Sequence, residues 1–469
     1  MNEHQSLEVV ENTTLAEIRV GQTASLARTL TEEDIAAFAA VSGDTNPAHM
    51  DPSFASQTVM QEVVGHGMWT GSIISTILGT RFPGPGTIYL GQTFRFKRPV
   101  HLNDTVTASV TVTSVNTEKG TVELDCKVVN QKGAPVLEGV ATILAPTNKH
   151  RAPIGEAPRF QLFDPESRIN ALLAQVKDLE PVACVVVHPC DESSLRGAIL
   201  AAESDLIRPI LVGPIARIRA VAESMLVSLD GFEFVDAAHS HDSAEIAARM
   251  VVDRKAEAMM KGSLHTHELI EAVLAQPSLR TKRRMSHVFR FDVPLYGKPL
   301  LVTDAGLNIN PSLMEKADIA QNAIHLAHIL GLPLPKLAVL SAVETVNPNI
   351  QSTIDAAALC KMADRGQIVG ALVDGPLAFD NAISPEAVKI KGIESKVAGD
   401  SDILLAPDLE SANILAKQLE YLSGASGAGV VLGARIPIAL TSRADNAKTR
   451  LLSALLTKMV AHRYRQAQP

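Results

Sequence analysis

Hydrophobic and polar positions alternate along much of the chain between Thr87 and Leu144. Apolar residues at positions 106, 108, 110 and 112, and again at 122, 124, 126 and 128, are separated by polar ones. A period of two is typical of strands that bury one face. Two helical stretches precede these strands, one that opens at Thr31 with acidic residues in its first turn and one from about Gly67 to Thr80. Helices followed by consecutive long strands predict an α+β domain.

A different pattern follows residues 145–164, a proline-rich stretch without periodicity that predicts a linker. Beyond it, short apolar runs alternate with helical segments, which is typical of an α/β domain with a mainly parallel sheet. These runs are residues 183–188, 208–214, 336–342, 402–407 and 428–434. The patterns together predict a first domain at residues 10–147, a linker at 148–164 and a second domain of two lobes at 165–469.

Composition narrows the classes of function. The length of 469 residues fits two or more domains, and 51 acidic against 43 basic residues give a net charge of −8. Such a chain has no global attraction for nucleic acid or an anionic membrane, so a polyanionic ligand needs a local basic site. The four cysteines show no zinc-binding spacing, and the sequence has neither signal-peptide features nor an apolar run of 18 residues. We therefore expect a cytoplasmic protein without a metal.

The segment VSGDTNPAHMDPSFA (41–55) brings a carboxylate and an imidazole close together. Asp44 and His49 are five residues apart across a proline-containing turn, where both side chains can converge on one water molecule. A plainer interpretation is that Asp44 and Asn46 supply turn hydrogen bonds and that His49 lies on the surface. Spacing alone leaves both interpretations open.

Three blocks of this region, SGDTNPAHMD, HGMWTGSIISTILG and PGTIYLGQTFRFKRPVHLNDTVTASVTV, occur in the order and spacing of the MaoC-like hydratases. From about Ala16 to Leu144 the chain resembles the (R)-specific enoyl-CoA hydratases of this hotdog-fold group. The resemblance implies that Asp44 and His49 hold the water that adds to the double bond.

The resemblance also assigns roles to Ser75 and Thr76, on the helix that the hotdog sheet buries. It implies that the serine orients the catalytic aspartate and that Thr76 donates a backbone N–H to the thioester carbonyl. The family usually has glycine at this second position, which leaves the preferred acyl-chain length open. We expect His66 to pack or to cap the helix, and Trp69 to lie in the core or at an interface.

The second domain contains no GxxxxGK[ST] phosphate loop. The glycine-rich GASGAG (424–429) precedes a strand, and its glycines are expected to be turn residues. The basic run from Arg280 to Arg284 is either a solvated loop or a local phosphate site. The segment LTSRAD (440–445) ends an apolar run with a hydroxyl and an arginine, at the kind of strand end where open α/β sheets bind ligands.

Several blocks of this domain, among them MKGSLHTHELI, LRTKRRMSHVF, TDAGLNINP and ALTSRADNAKTR, occur together and in order. Over about Pro165 to Ala461 they resemble the phosphate acetyl/butyryltransferase family, closer to the butyryl type. The resemblance implies two α/β lobes of the isocitrate/isopropylmalate dehydrogenase type with the site between them.

Five residues receive roles by this second resemblance. Ser442 matches a serine near the reacting thioester, and Arg443 matches its neighbour for anion binding. Weaker matches place Lys261, His265 and Arg284 on the phosphate side. Acetyl-type members carry an aspartate where this chain has Thr449, and Asp445 cannot be assumed to replace it, so the identity of a base stays open.

The two resemblances predict one bifunctional enzyme. Its first domain hydrates trans-2-enoyl-CoA to 3-hydroxyacyl-CoA, and its second transfers an acyl group between CoA and inorganic phosphate. CoA thioesters and phosphate are then substrates, no cofactor is implied, and a homo-oligomer is expected. The alternative is that one of the two domains has lost its chemistry and serves acyl-CoA binding or oligomerisation. The transferase domain is the better candidate for this loss, because its base is not identified.

Overall fold

The computed structural model describes residues 9–153, 165–442 and 445–468. The chain divides into two compact units, Met1–Leu162 and Phe163–Pro469. Among the described helices, none is both long enough and apolar enough to span a membrane. Each unit has its own hydrophobic core.

The first unit is an antiparallel sheet folded around one long helix. Its described elements are β1 Val9–Glu11, β2 Thr23–Thr29, α1 Glu32–Ser42, α2 Pro47–Met50, α3 Pro52–Ala55, α4 Gly67–Thr80, β3 Ile88–Phe96, β4 Thr105–Asn116, β5 Thr121–Asn130, β6 Pro135–Leu144 and β7 Arg151–Pro153. Five strands form the sheet in the order β2-β4-β5-β6-β3.

The alternation of apolar residues in β4 and β5 places every second side chain in this core. Val106, Val110, Val122 and Leu124 are fully buried there. The opposing surface is α4, where isoleucines 73, 74 and 77 are at most 2% exposed. Helix and sheet approach closely at Gly71, where an added Cβ would lie 2.7 Å from the ring of Phe94. The α+β prediction is thereby confirmed. The two helices predicted before the strands are also present: α1 is capped by Thr31, and α4 spans Gly67–Thr80.

The predicted linker begins too early. β7 (Arg151–Pro153) pairs antiparallel with β1 (Val9–Glu11), so residues that the sequence placed at 148–153 belong to the first unit. The side-chain amide of Asn12 supports this pairing, because it donates to the carbonyls of Pro85 and Asn148. A three-residue strand has no periodicity to detect. The rest of the predicted linker, residues 154–164, lies outside the described residues.

The second unit is an α/β structure on one large sheet. Its described elements are α5 Pro165–Val176, β8 Val182–Val187, α6 Glu192–Glu203, β9 Ile207–Gly213, α7 Ile215–Ser224, β10 Glu233–Asp236, α8 Ser240–Val252, β11 Ala258–Lys261, α9 Thr266–Leu274, a 3₁₀ turn Pro277–Leu279, β12 Ser286–Asp292, β13 Leu300–Thr303, α10 Leu313–Ile329, β14 Lys336–Leu340, α11 Gln351–Asp364, β15 Leu372–Leu377, α12 Phe379–Ile383, α13 Pro385–Lys391, β16 Ile403–Leu405, α14 Leu409–Tyr421, β17 Ser426–Leu432, β18 Ile438–Ala439 and α15 Ala447–Gln466.

The sheet has eleven strands in the order β10-β9-β8-β11-β18-β17-β12-β13-β16-β14-β15. At one end of this order, neighbouring strands are parallel from β10 through β9, β8 and β11 to β18. At the other end they are parallel from β13 through β16 and β14 to β15. Between these two parallel groups lie β17 and β12, which pair antiparallel with each other and with β18 and β13. We call residues 165–285 and 433–468 the first lobe and residues 286–432 the second lobe. The predicted mainly parallel sheet is confirmed. The turn assignment of Gly427 and Gly429 is wrong, because both lie within β17.

Position 429 of strand β17 is occupied by glycine because neighbouring atoms leave no room for a side chain. A Cβ at this position would come within 2.5 Å of His287 Nε2 and 2.6 Å of the Leu440 carbonyl oxygen. His287, on the neighbouring strand β12, is itself buried, and its Nδ1 would meet a Cβ at Gly306 at 2.6 Å. Two glycines thus make room for one imidazole in the middle of the sheet.

Acidification should destabilise the second unit through His287. Burial lowers the pKa of this imidazole to about 4, and the Leu440 carbonyl offsets only part of that shift. The unfolded chain therefore binds a proton between about pH 6.5 and 4 that the folded chain does not, so stability is complete above this window and falls as pH drops through it. The contribution is on the order of 3 kcal/mol.

The measurement is calorimetric unfolding at several pH values of the wild type and of His287→Gln, whose side chain cannot titrate. The variant should lose less stability between pH 7 and 4.5 than the wild type. Trp69, the only tryptophan, lies in the first unit, so its fluorescence reports separately on that unit. Equal pH dependence of the two proteins would contradict the prediction.

Candidate active sites

The first site is built at the end of α1. Helix α1 stops at Gly43, which adopts a left-handed conformation at φ 76°. Asp44 follows as irregular backbone, and Asn46 caps the short helix α2, which carries His49. These changes of direction bring one carboxylate oxygen of Asp44, one imidazole nitrogen of His49 and one of His66 within 4.8 Å of one another.

The tautomer of His49 is fixed by its environment. Its Nδ1 lies 2.7 Å from the carbonyl oxygen of Val64. A carbonyl can only accept, so Nδ1 carries a proton, and in the neutral imidazole the lone pair is on Nε2. His49 is therefore ready to accept a proton. Asp44 also makes the turn hydrogen bond of the plainer interpretation, since its Oδ1 accepts from the N–H of Asn46 at 3.3 Å, but its side chain remains exposed to solvent.

His66 is a member of this site that the sequence reasoning set aside. Its side chain makes no cap on α4. Instead its Nε2 donates to the main-chain oxygen of Asp44 at 2.9 Å, and its ring lies 4.0 Å from the ring of His49. The expectation of packing is met: the ring lies between Phe38 and His49, and its hydrogen bond connects it to the other catalytic candidate, Asp44. Two imidazoles and a carboxylate also form a donor set that a divalent metal can take, and these are the described residues able to hold one.

Ser75 and Thr76 are not brought to the Asp44 and His49 pair within one chain. Both are exposed on α4, nine and ten residues after His66, which corresponds to roughly 13 to 15 Å along the helix axis. Thr76 also lies inside the helix, where backbone N–H groups are used by the helix itself. The free N–H groups of α4 belong to its first turn, beside the pair.

The second site lies where β18 ends. Ser442 is held on both sides of its backbone: its N–H donates to Oδ2 of Asp445 at 2.7 Å, and its carbonyl accepts from Arg450 at 3.0 Å. Arg450, buried on α15, also donates to the hydroxyls of Thr441 and Ser193. The strand end that carries the candidate serine is therefore fixed by an aspartate and an arginine.

Lys261 reaches the same strand end from β11. It is 4% exposed, and its Nζ lies 3.4 Å from the carbonyl oxygens of Gly262 and Thr441. The ammonium therefore holds the backbone next to Ser442. Its assignment to phosphate stays a prediction.

Arg284 lines a cavity of the second unit, and His265 precedes one of its lining residues. A cavity of about 440 Å³ is lined by Thr266, the residue after His265, and by Arg284 together with Arg280 and Arg283. His265 is exposed and precedes α9. The guanidinium of Arg284 donates to Asn308 at 2.7 Å and lies 3.4 Å from Glu315. Arg443 lies outside the described residues.

Similarity to known proteins agrees with the division into two units. The family model for phosphate acetyl/butaryl transferase matches residues 239–458, and the model for the MaoC like domain matches residues 15–132. A phosphate acetyltransferase of Rhizobium meliloti is 54% identical over 303 residues, which cover 64% of this chain and 96% of that protein. The chain belongs to the phosphate acetyl/butyryltransferase family.

Two solved structures are each similar to one part of this chain. A branched-chain phosphotransacylase from Enterococcus faecalis V583 is 29% identical with a TM-score of 0.53, covering 60% of this chain and 99% of that one. The R-hydratase PhaJ1 from Pseudomonas aeruginosa is 42% identical with a TM-score of 0.32, covering 33% of this chain and all of that one. The protein is an enzyme that combines a MaoC-like hydratase domain with a phosphate acyltransferase domain.

Proposed function

We propose that the first domain is an (R)-specific enoyl-CoA hydratase in which Asp44 and His49 activate the water. The supporting observation is their convergence, with the lone pair of His49 on Nε2 and the carboxylate of Asp44 within 4.8 Å of an imidazole nitrogen of His49. A water between these groups can lose a proton as its oxygen attacks C3, and the same groups can return a proton to C2. Hydration of a 2-enoyl thioester requires these two transfers.

The thioester oxygen becomes negatively charged as the enolate forms and needs hydrogen-bond donors. The first-turn N–H groups of α4 lie beside the Asp44 and His49 pair and carry the positive end of the helix dipole. We assign the oxyanion to this helix end. Ser75 lies too far along α4 to orient Asp44 in the same copy, so its predicted role requires a second copy of the chain. The backbone N–H of Thr76 is used within the helix, so the donation predicted for it has no free N–H.

A second copy is also what the edge strand β3 favours. Ile88, Leu90 and Phe96 on this strand are 49–55% exposed, and among the described strands β3 pairs with β6 alone. A long apolar edge strand is a template for pairing with another chain. We propose that the first unit forms a homo-oligomer through β3.

The second domain transfers an acyl group between CoA and inorganic phosphate. We assign Ser442 to the reacting thioester, where its hydroxyl can donate to the departing thiolate sulfur. Arg443, Lys261, His265 and Arg284 remain candidates for anion binding. No base is assigned, since the dianion of phosphate can attack the thioester carbonyl directly. Thr449 donates its backbone N–H to the Asn446 side chain that caps α15 and offers no carboxylate.

This proposal needs no cofactor, because CoA thioesters and phosphate supply all reacting atoms. Two lobes on one continuous sheet support the isocitrate/isopropylmalate dehydrogenase type of architecture. Separate cores in the two units support a boundary between the catalytic domains within residues 154–164.

To test this proposal, one preparation of the enzyme is incubated with crotonyl-CoA, once with and once without inorganic phosphate. Loss of enoyl absorbance and release of free thiol are followed separately. Without phosphate, absorbance should fall while no thiol appears, because hydration leaves the thioester intact. Addition of phosphate should release thiol and form an acyl phosphate that hydroxylamine traps.

The product of the first step should be the (R)-3-hydroxyacyl-CoA on chiral analysis. Thiol release that does not require phosphate would identify a thioesterase and refute the transfer reaction. A transferase domain that binds acyl-CoA yet releases no thiol would establish the alternative, in which that domain has lost its chemistry.

A further inference from the structure

A lysine of the second lobe reaches the serine site of the first. Lys417 lies near the end of α14, and its Nζ is 3.6 Å from Oδ1 of Asp445, which follows β18. The side chain of Asp445 is 1% exposed, whereas that of Lys417 is 33% exposed. The contact therefore joins a buried carboxylate of one lobe to a partly exposed cation of the other.

The two oxygens of the Asp445 carboxylate have different environments. Its Oδ2 accepts from the N–H of Ser442 at 2.7 Å. Its Oδ1 has no hydrogen-bond donor within the part of the chain that the structure describes. A buried carboxylate that is only half satisfied is costly without a nearby cation. Lys417 supplies that charge at the unsatisfied oxygen.

Lys417 also contacts Glu420, 3.1 Å away and three residues later on the same helix. Burial alone would lower the pKa of Lys417, but Glu420 and Asp445 together outweigh it and raise this pKa. The ammonium stays protonated under ordinary conditions. The pair with Glu420 is a helix-surface contact of the kind that contributes little to stability.

We propose that Lys417 is a positioning residue of the transferase site, which holds the Asp445 carboxylate and through it the main chain of Ser442. The inference rests on the proposed role of Ser442 in acyl transfer. Loss of the lysine removes the cation at Oδ1 and leaves Arg450 as the remaining nearby positive charge, so the half-satisfied carboxylate is free to turn away from Ser442. That movement releases the N–H of Ser442 and misplaces the hydroxyl that acts in the transition state.

The variants that test this are Lys417→Met, Lys417→Arg and Asp445→Asn, with Glu420→Gln as the matched control. We expect Lys417→Met to lower kcat for phosphate-dependent thiol release roughly 10- to 100-fold, with KM for acyl-CoA and for phosphate within about threefold of wild type. Arginine at position 417 should restore most of the turnover, because it keeps the charge. Glu420→Gln should behave as wild type.

A double-mutant cycle separates positioning from independent contributions. The Lys417→Met and Asp445→Asn double variant should be no slower than the worse single variant, since both changes break the same chain of contacts. Hydration by the same preparations and their thermal unfolding report whether the chain has folded.

Three outcomes overturn the inference: wild-type kcat in Lys417→Met, multiplicative losses in the double variant, or a raised KM for phosphate with unchanged kcat. The last would make Lys417 a substrate-binding residue. A wild-type enzyme that releases no thiol with any acyl-CoA and phosphate would instead refute the proposed transferase function, so the two failures are distinguishable.

Discussion

Asp44→Asn is expected to lower the rate of enoyl-CoA hydration at least about a hundredfold, because the substitution removes the carboxylate that shares the water with His49. The turn should survive the change. Oδ1 of Asp44 accepts from the N–H of Asn46, and the side-chain oxygen of asparagine can accept the same bond. His66 should likewise keep its hydrogen bond to the main-chain oxygen at position 44. The loss is thus specific to proton transfer.

The matched control is Asp51→Asn, seven residues further along the same segment. Oδ1 of Asp51 accepts from the N–H groups of Ser53 and Phe54 and caps α3. The same carboxylate-to-amide change there should leave hydration nearly unaltered. Phosphate-dependent thiol release from a saturated acyl-CoA should be normal in both variants. Normal hydration by Asp44→Asn would show that the base lies elsewhere.

Ser442→Ala is expected to lower turnover of the transferase about 10- to 100-fold with little change in KM for either substrate. A hydroxyl that donates to the leaving sulfur acts mainly in the transition state, where negative charge develops. Alanine keeps the backbone N–H that Asp445 accepts and the carbonyl that Arg450 contacts. The strand end should therefore retain its conformation.

Saturation curves for acyl-CoA and for phosphate make this measurement, with Ser224→Ala as the control. Ser224 is an exposed serine at the end of α7 in the same unit, and its hydroxyl only donates to the carbonyl of Val221. That variant should match the wild type. Unchanged kcat in Ser442→Ala would remove this serine from the reaction and, with it, the reason for holding its backbone.

The regular parts of the fold were predictable from the sequence because burial on one face imposes a period. The alternation in β4 and β5 and the capping of α1 by Thr31, whose hydroxyl accepts from Asp34, agree with the structure. β2 and the β1–β7 pair were missed, since short or largely exposed strands carry little pattern. Gly427 and Gly429 were misassigned because their lack of a side chain serves close packing against neighbouring strands of the sheet and not a turn.

The sites were predictable where chemistry is local in sequence. Asp44 and His49 are close along the chain, and the structure brings them together. His66, Arg450 and Lys417 reach their sites from other elements, so only the tertiary fold shows their partners. His66 and Arg450 lie inside two of the blocks that carry the family resemblances, HGMWTGSIISTILG and ALTSRADNAKTR. The sequence resemblance therefore indicated functional regions of the chain, but it did not indicate which side chains contact one another there.

The position of β18 has a consequence for how the protein is made. β11 lies between β8 and β18, and α15 packs its buried leucines on the same lobe, so the first lobe of the transferase needs residues 434–468 to complete its sheet and core. The second lobe is translated in between. Contacts of such long sequence separation form late and slowly. The hydratase domain, whose described strands all lie before residue 154, can fold on the ribosome, whereas the first lobe must wait with an open sheet edge until more than 150 further residues have been made. During synthesis, the unpaired edge of this lobe is open to pairing with other chains until β18 is added.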